Sequence, residues 1–275
     1  MERSLKILFV VNDLYTRGNG LAASARRTIT LLRERGHHVR VLSALPRDGD
    51  DCGVGMPEYV LPPLRIPLVD PLIASQGYSF ARAKRCEIER ALAWADVVHL
   101  EEPFYLQAVV ARYARRRGVP VVATYHIHPE NLTASVYLDR VVPLNRAILE
   151  LWKRAIFNRS DLVQCPSRSV YERVSKLRVR APLLLLSNGV PLGEGVCADG
   201  REVGESAVVR VLVVGRYSRE KDQATILRAL RHSAHARSIQ LTFAGRGPTE
   251  HSLRASARRL LRRGVIAHPV RFAFM

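Results

Sequence analysis

Cysteine is scarce in this chain of 275 residues: Cys52, Cys86, Cys165 and Cys197 are far apart and form no CxxC pair or Cys/His cluster. That spacing excludes the usual zinc motifs and a disulfide framework, so a reducing cytoplasm is the expected setting. Long apolar runs are missing as well. The run inside MERSLKILFVVND is too short to span a bilayer and leads into Asn12 and Asp13 rather than a small-residue cleavage site. It reads as a strand, and no other window is long enough to cross a membrane. Short-period repeats and low-complexity tracts are absent. No G-x-G-x-x-G follows residues 5–11, which argues against a dinucleotide oxidoreductase. Lysine supplies only five of the 43 basic residues, and the arginines are spread along the sequence rather than gathered in a tail. The net charge of +18 therefore disfavours a dedicated nucleic-acid arm and fits an anionic small ligand or an anionic membrane surface as well.

Apolar material is plentiful: 47% of the residues are hydrophobic, enough for a real core and too many for a disordered protein. The pattern is an α/β alternation. Residues 5–11 form a continuous apolar run expected of a strand buried on both faces. A loop with Gly18 and Gly20 follows, then a helix over 21–35 closed by Gly36, and a strand over 39–42. Such a βαβ unit implies a parallel sheet. Residues 46–71, rich in Pro and Gly, read as a long loop. Helices are expected over 79–94, 104–117, 132–158 (interrupted at Pro143) and 168–176, and strands over 96–100, 119–125, 161–166 and 183–187. The pattern lapses over 188–207, as in a domain linker, and a second series follows. It has strands at 210–214, 239–244 and 265–272 and helices at 222–231 and 249–263.

Four local motifs then fall in order. Val213-Val214-Gly215-Arg216-Tyr217-Ser218-Arg219-Glu220-Lys221 matches a G-R-x-x-x-x-K pattern, and Ala244-Gly245-Arg246-Gly247-Pro248 an A-G-x-G-P turn. Ser187-Asn188-Gly189-Val190-Pro191 is similar to an N-G-V/I-D hinge, and Thr124-Tyr125-His126 precedes Pro129-Glu130-Asn131. Each alone is weak, since Gly-containing turns follow strands in every nucleotide-binding α/β fold. Their order over residues 5–270 resembles the retaining glycosyltransferases of family 4, with the two-domain GT-B fold. The resemblance implies an acceptor-side Rossmann-like domain over 1–187, a linker over 188–207 and a nucleotide-sugar-binding domain over 208–275. It also implies that this second domain is incomplete and the protein truncated at its C-terminus, because the family's E-x7-E segment has no counterpart: no Glu follows Glu250.

The same resemblance implies the chemistry. Arg216 and Lys221 at a strand end would neutralise the diphosphate of a nucleotide-sugar donor, Arg as a planar fork and Lys as a point charge. Gly245 and Gly247 would let the backbone approach that donor, Gly18 and Gly20 would shape the cleft, and His126 would position the sugar. Glu130 and Asn131 would orient the acceptor or the loop. Transfer from donor to a lipid or glycan acceptor would proceed with retention, without a metal or other cofactor. Glu101 and Glu102 read as a plain loop whose side chains point apart, and His99 as part of the preceding strand. The basic and apolar residues of 132–158 suggest either core packing or peripheral contact with anionic lipid. Two other readings stay open: a non-catalytic binding or scaffold protein that pairs with another subunit, and a charge-driven nucleic-acid binder.

Overall fold

A computed structural model describes residues 3–16, 19–46, 49–65, 79–134, 137–190 and 208–273. The protein forms two compact units, Met1–Gly189 and Val190–Met275. In the first, the strands are β1 (Lys6–Val10), β2 (His38–Ala44), β3 (Tyr59–Leu61), β4 (Pro63–Leu64), β5 (Phe80–Ala81), β6 (Val97–Leu100), β7 (Val121–Thr124), β8 (Leu162–Cys165) and β9 (Leu183–Leu185). Seven of them make one sheet in the order β3-β2-β1-β6-β7-β8-β9, parallel at every pairing. Strands β4 and β5 pair antiparallel beside it.

The central strand β1 shows why the sheet is covered on both sides. Its successive side chains alternate between two cores, as the period of a strand requires. Leu8 and Val10 join one cluster with Val98, Leu100 and Val110, while Ile7 and Phe9 join another with Ala25, Ile29 and Val41. Helix α1 (Gly20–Glu34) lies over the second cluster. Asn19 caps it, its side-chain oxygen accepting from the Leu21 and Ala22 amides. The helices α2 (Arg85–Trp94) and α3 (Tyr105–Arg117) carry buried Ile88, Leu106 and Val110 into the first cluster. Gly118, in the left-handed region at φ 67°, ends α3 just after Arg115, Arg116 and Arg117, where cations suit the helix dipole. Three further helices follow: α4 (Pro129–Thr133), α5 (Val142–Ala155) and α6 (Arg168–Ser175).

Several expectations need correction. Residues 46–71 are not all loop, because β3 adds an edge strand to the sheet and β4 begins a short ribbon. Tyr59 and Leu61 are buried there, a tertiary reward that outweighs the surrounding prolines. The helix expected over 79–94 starts only at Arg85, since Phe80–Ala81 pairs with β4. The stretch over 132–158 is split, as expected from Pro143, into α4 and α5; the proline lies in the first turn of α5, where its missing N–H costs nothing. On α5, Leu149 and Trp152 enter the core while Val142 and Leu151 face solvent. No helix among the described residues is long and apolar enough to cross a membrane.

The second unit holds β10 (Val209–Val214), α7 (Gln223–Ala229), β11 (Ile239–Ala244), α8 (Glu250–Arg262) and β12 (Arg271–Ala273). Its sheet, β10-β11-β12, is parallel throughout. The last strand is three residues long, shorter than the run over 265–272 suggests. Ile266 and Val270 instead pack from the connection onto the cluster built on Tyr217, Phe243 and Leu253.

A buried polar network ties the strand ends of the first unit. Glu102 accepts through Oε2 from the backbone N–H and the side-chain Nδ2 of Asn12, each at 2.8 Å, and from Gln107 Nε2. Asn12 Oδ1 accepts from the Ala81 amide at 3.0 Å. Glu102, Asn12 and Gln107 are all buried to within 1% of complete. Replacing Glu102 by Ala strands three donors away from water and should lower stability by about 3–5 kcal/mol, read as a fall in the urea midpoint. Glu102→Gln, which keeps one acceptor, should cost clearly less. In the second unit, a Cβ on Gly247 would lie 2.2 Å from the Tyr217 carbonyl oxygen. Gly247→Ala should therefore cost about 3 kcal/mol and lower the thermal midpoint.

Candidate active site

A parallel sheet delivers all its strand C-termini to one edge, which is where open α/β folds bind ligands. In the first unit that edge carries a connected set of polar side chains. Glu101, directly after β6, has a side chain only 3% exposed, and its Oε2 lies 2.9 Å from Nε2 of His126, two residues beyond β7. His99, inside β6, approaches the other carboxylate oxygen at 3.5 Å. Its Nε2 lies 2.8 Å from Thr124 Oγ1, at the end of β7. Thr124 donates to Gln164 Oε1 at 3.4 Å, and Gln164 Nε2 donates to the Leu186 carbonyl at 3.1 Å. On the far side of His126, Asn188 Nδ2 stands 3.4 Å from Nδ1.

Burial sets the charge states. It pushes the Glu101 carboxyl up, but the neighbouring His99 and the hydrogen bond from His126 more than offset that and hold it below its ordinary value. Burial pushes His99 down, beyond what the nearby Glu101 restores. Glu101 and Glu102 correct the expectation of an ordinary loop. They do follow the strand and point apart, yet both are buried: one faces His126, the other Asn12. The available signal in the sequence is position, two carboxylates at the end of an apolar parallel strand.

Glu130, expected to orient acceptor or loop, is committed to Arg173. Nη2 of that arginine donates to both carboxylate oxygens, at 2.7 and 3.0 Å, linking α4 to α6. Burial raises the Glu130 carboxyl, and the Arg173 hydrogen bonds outweigh it to bring it below normal. His128, between Tyr125 and Arg173, is pushed down by burial and then by the arginine charge. Asn131 is exposed on α4. Gly20 opens α1, and a Cβ there would meet nothing within 4 Å, so packing does not demand glycine at this position. Gly18 lies outside the described residues.

In the second unit, Arg216 follows the end of β10 and is half-buried, and Lys221 is exposed at the end of the turn Arg219–Lys221. Gln223 Nε2 donates to the Arg216 carbonyl at 2.8 Å. The helix beyond is short, and its cap residue Asp222 is in the left-handed region at φ 40°. Gly245 and Gly247 have a packing reason to be glycine. Their turn lies against the loop after β10, and a Cβ on Gly245 would fall 2.2 Å from the Gly215 carbonyl oxygen. Tyr217 locks the two turns together, its amide donating to Arg246 O at 2.8 Å and its hydroxyl to Phe243 O at 3.0 Å. Among the described residues, no group of three His, Cys, Asp or Glu side chains is placed to hold a metal ion.

The two lowered histidines set the sign of the pH dependence. A His kept neutral by the fold stabilises it fully above its unfolded value of 6.5, and that contribution is lost as pH falls through the folded value. Glu101, also lowered, adds a further loss at more acidic pH. The thermal midpoint should therefore fall between about pH 8 and about pH 5, and His99→Gln should flatten part of the fall.

Comparison with known proteins agrees with this architecture. The family model described as Glycosyltransferase Family 4 matches residues 18–194. Among curated proteins the sequence finds no match. Among solved structures, the lipopolysaccharide outer core galactosyltransferase WaaB in apo form is similar with a TM-score of 0.55 at 14% identity, over 97% of this chain and 68% of that one. The pneumococcal O-GlcNAc transferase GtfA in complex with UDP and GlcNAc gives 0.55 at 9% identity, over 98% and 76%. An alpha-glucosyltransferase in complex with UDP and a 13-mer DNA containing a HMU base gives 0.50 at 13%, over 99% and 68%. At such identities these likenesses speak to the fold, which is that of the GT-B glycosyltransferases. With the family model covering more than half of its residues, the chain belongs to glycosyltransferase family 4.

Proposed function

We propose that this protein transfers a sugar from a nucleoside-diphosphate donor to the hydroxyl of a lipid or glycan acceptor, with retention of anomeric configuration. The observation that carries the reading is His126, held at the C-terminal edge of a family-4 parallel sheet by the buried carboxylate of Glu101. A hydrogen-bonding ring in that place suits a sugar hydroxyl. Arg216 and Lys221 supply the positive charge that a leaving diphosphate needs as the bond between its oxygen and the anomeric carbon breaks. A new bond forms from the acceptor oxygen to that carbon, and the acceptor proton passes to a departing phosphate oxygen. No protein nucleophile and no metal enter this scheme. In this reading Gly245 and Gly247 let the second turn approach the nucleotide.

A lipid acceptor is supported by α5, where exposed Val142 and Leu151 lie on a helix that also carries Arg146, Lys153 and Arg154. Such a segment suits peripheral contact with an anionic cytoplasmic membrane face.

Two kinds of substitution separate the roles. Arg216→Ala and Lys221→Ala each remove a charge-assisted contact of about 1.5–3 kcal/mol and should weaken UDP binding, measured by calorimetry, by roughly ten- to a hundredfold. His126→Ala should leave UDP affinity unchanged while lowering sugar transfer from UDP-glucose by roughly a hundredfold. Undiminished UDP binding in both cation variants would sink the donor assignment.

A further inference from the structure

The proton positions along the strand edge follow from what each group is able to donate. Gln164 gives its amide hydrogen to the Leu186 carbonyl, so its Oε1 faces Thr124 and accepts the threonine hydroxyl hydrogen. Thr124 Oγ1, having given that hydrogen away, accepts at 2.8 Å from His99 Nε2–H. His99 Nε2 is thereby committed to Thr124 and stands off Glu101 at 3.5 Å. A carboxylate ion has only lone pairs to offer. Among the described residues, the donor within ordinary hydrogen-bond distance of the Glu101 side chain is His126 Nε2, at 2.9 Å, with the two side chains 7% and 3% exposed in the order His126, Glu101. Removing that hydrogen would leave a buried negative charge facing a ring lone pair. With Nε2 carrying the hydrogen, the opposite nitrogen Nδ1 is left to accept, and Asn188 Nδ2 stands 3.4 Å from it.

From this we propose that Glu101 is a positioning residue that holds His126 as the Nε2-protonated tautomer, so that Nδ1 faces the ligand as a hydrogen-bond acceptor. The subsite it builds takes a hydroxyl and rejects a phosphate or carboxylate oxygen, which would meet a lone pair there. This rests on the reading that His126 touches the sugar, and it assigns the polarity of that contact. The acceptor end of the ring is opposite in character to the cations that a diphosphate needs, so it suits the neutral part of a donor. A weak Asn188 contact is one that an incoming hydroxyl replaces at little cost, whereas the Glu101 contact stays in place behind the ring.

The test is 15N nuclear magnetic resonance of the histidine rings in the 275-residue chain at neutral to mildly alkaline pH, with the His126 signals identified by their loss in His126→Asn. A pyridine-type Nδ1 and a pyrrole-type Nε2 are expected; a protonated Nδ1 would overturn the proposal without any substitution being needed. In Glu101→Gln the side-chain amide is able either to accept from the ring or to donate to it, so the single tautomer should give way to a mixture. An unchanged pattern in a variant still folded by circular dichroism would remove Glu101 from this role. Titration with UDP-glucose should shift the Nδ1 signal and leave Nε2 nearly still, whereas inorganic phosphate should shift neither. A correct tautomer with Nδ1 indifferent to UDP-glucose would overturn the sugar-holding reading alone, and a response of Nδ1 to phosphate would overturn the hydroxyl selectivity.

Discussion

Two consecutive carboxylates, Glu101 and Glu102, are buried at the end of one strand, and the strand-end edge of the first unit is organised around satisfying them. A buried carboxylate without donors is costly enough that neighbouring groups must turn toward it or the backbone must rearrange. Because successive residues leaving a strand point to opposite sides, each carboxylate recruits a different set of partners. Glu102 gathers Asn12, Gln107 and, through Asn12, the backbone of Ala81. Glu101 gathers His126 and His99, and through His99 the Thr124–Gln164–Leu186 series. The ends of β1, β6, β7, β8 and β9 are thus held by a connected set of hydrogen bonds, which is what a site needs if its side chains are to keep one geometry.

The second unit reaches order by another route. Its strand-end turns meet backbone to backbone, with Gly245 and Gly247 leaving room for the carbonyls of Gly215 and Tyr217 and with Tyr217 bonded to Arg246 in the facing turn and to Phe243 in β11. The glycines are therefore structural wherever a ligand stands, and the cations Arg216 and Lys221 ride on the loop that those glycines admit. Packing and phosphate approach ask for the same residue type for the same reason, the absence of a Cβ.

The α/β alternation, the parallel sheet and the family are legible in local features. Residues 6–10 announce a doubly buried strand because both faces are apolar, and the G-R-x-x-x-x-K and A-G-x-G-P segments are contiguous. What misleads is equally local. The prolines between 46 and 71 hide β3, whose Tyr59 and Leu61 are buried by a sheet that local propensity does not see. Pro143, by contrast, rightly marks an interruption of the long helical stretch, and it sits in the first turn of the second helix, because a missing N–H is harmless there. His126 stands out at its strand end, but the carboxylate that holds it looks like loop, since nothing in the neighbourhood of Glu101 names a partner.

By itself, then, the sequence determined the succession of strands and helices, the family, and the residue types available at each strand end. These depend on hydrophobic periodicity and on short motifs, which span a turn or a strand. Only the tertiary structure decided which of the polar strand-end residues meet. Asn12 and Glu102 are 90 residues apart, and Thr124 and Gln164 are 40 apart. Their contacts arise because a parallel sheet returns each strand to the same edge, and its strand order brings β1 beside β6 and β7 beside β8. Hydrogen bonds are short-ranged and directional, so pairing is settled by that packing and not by any pattern along the sequence.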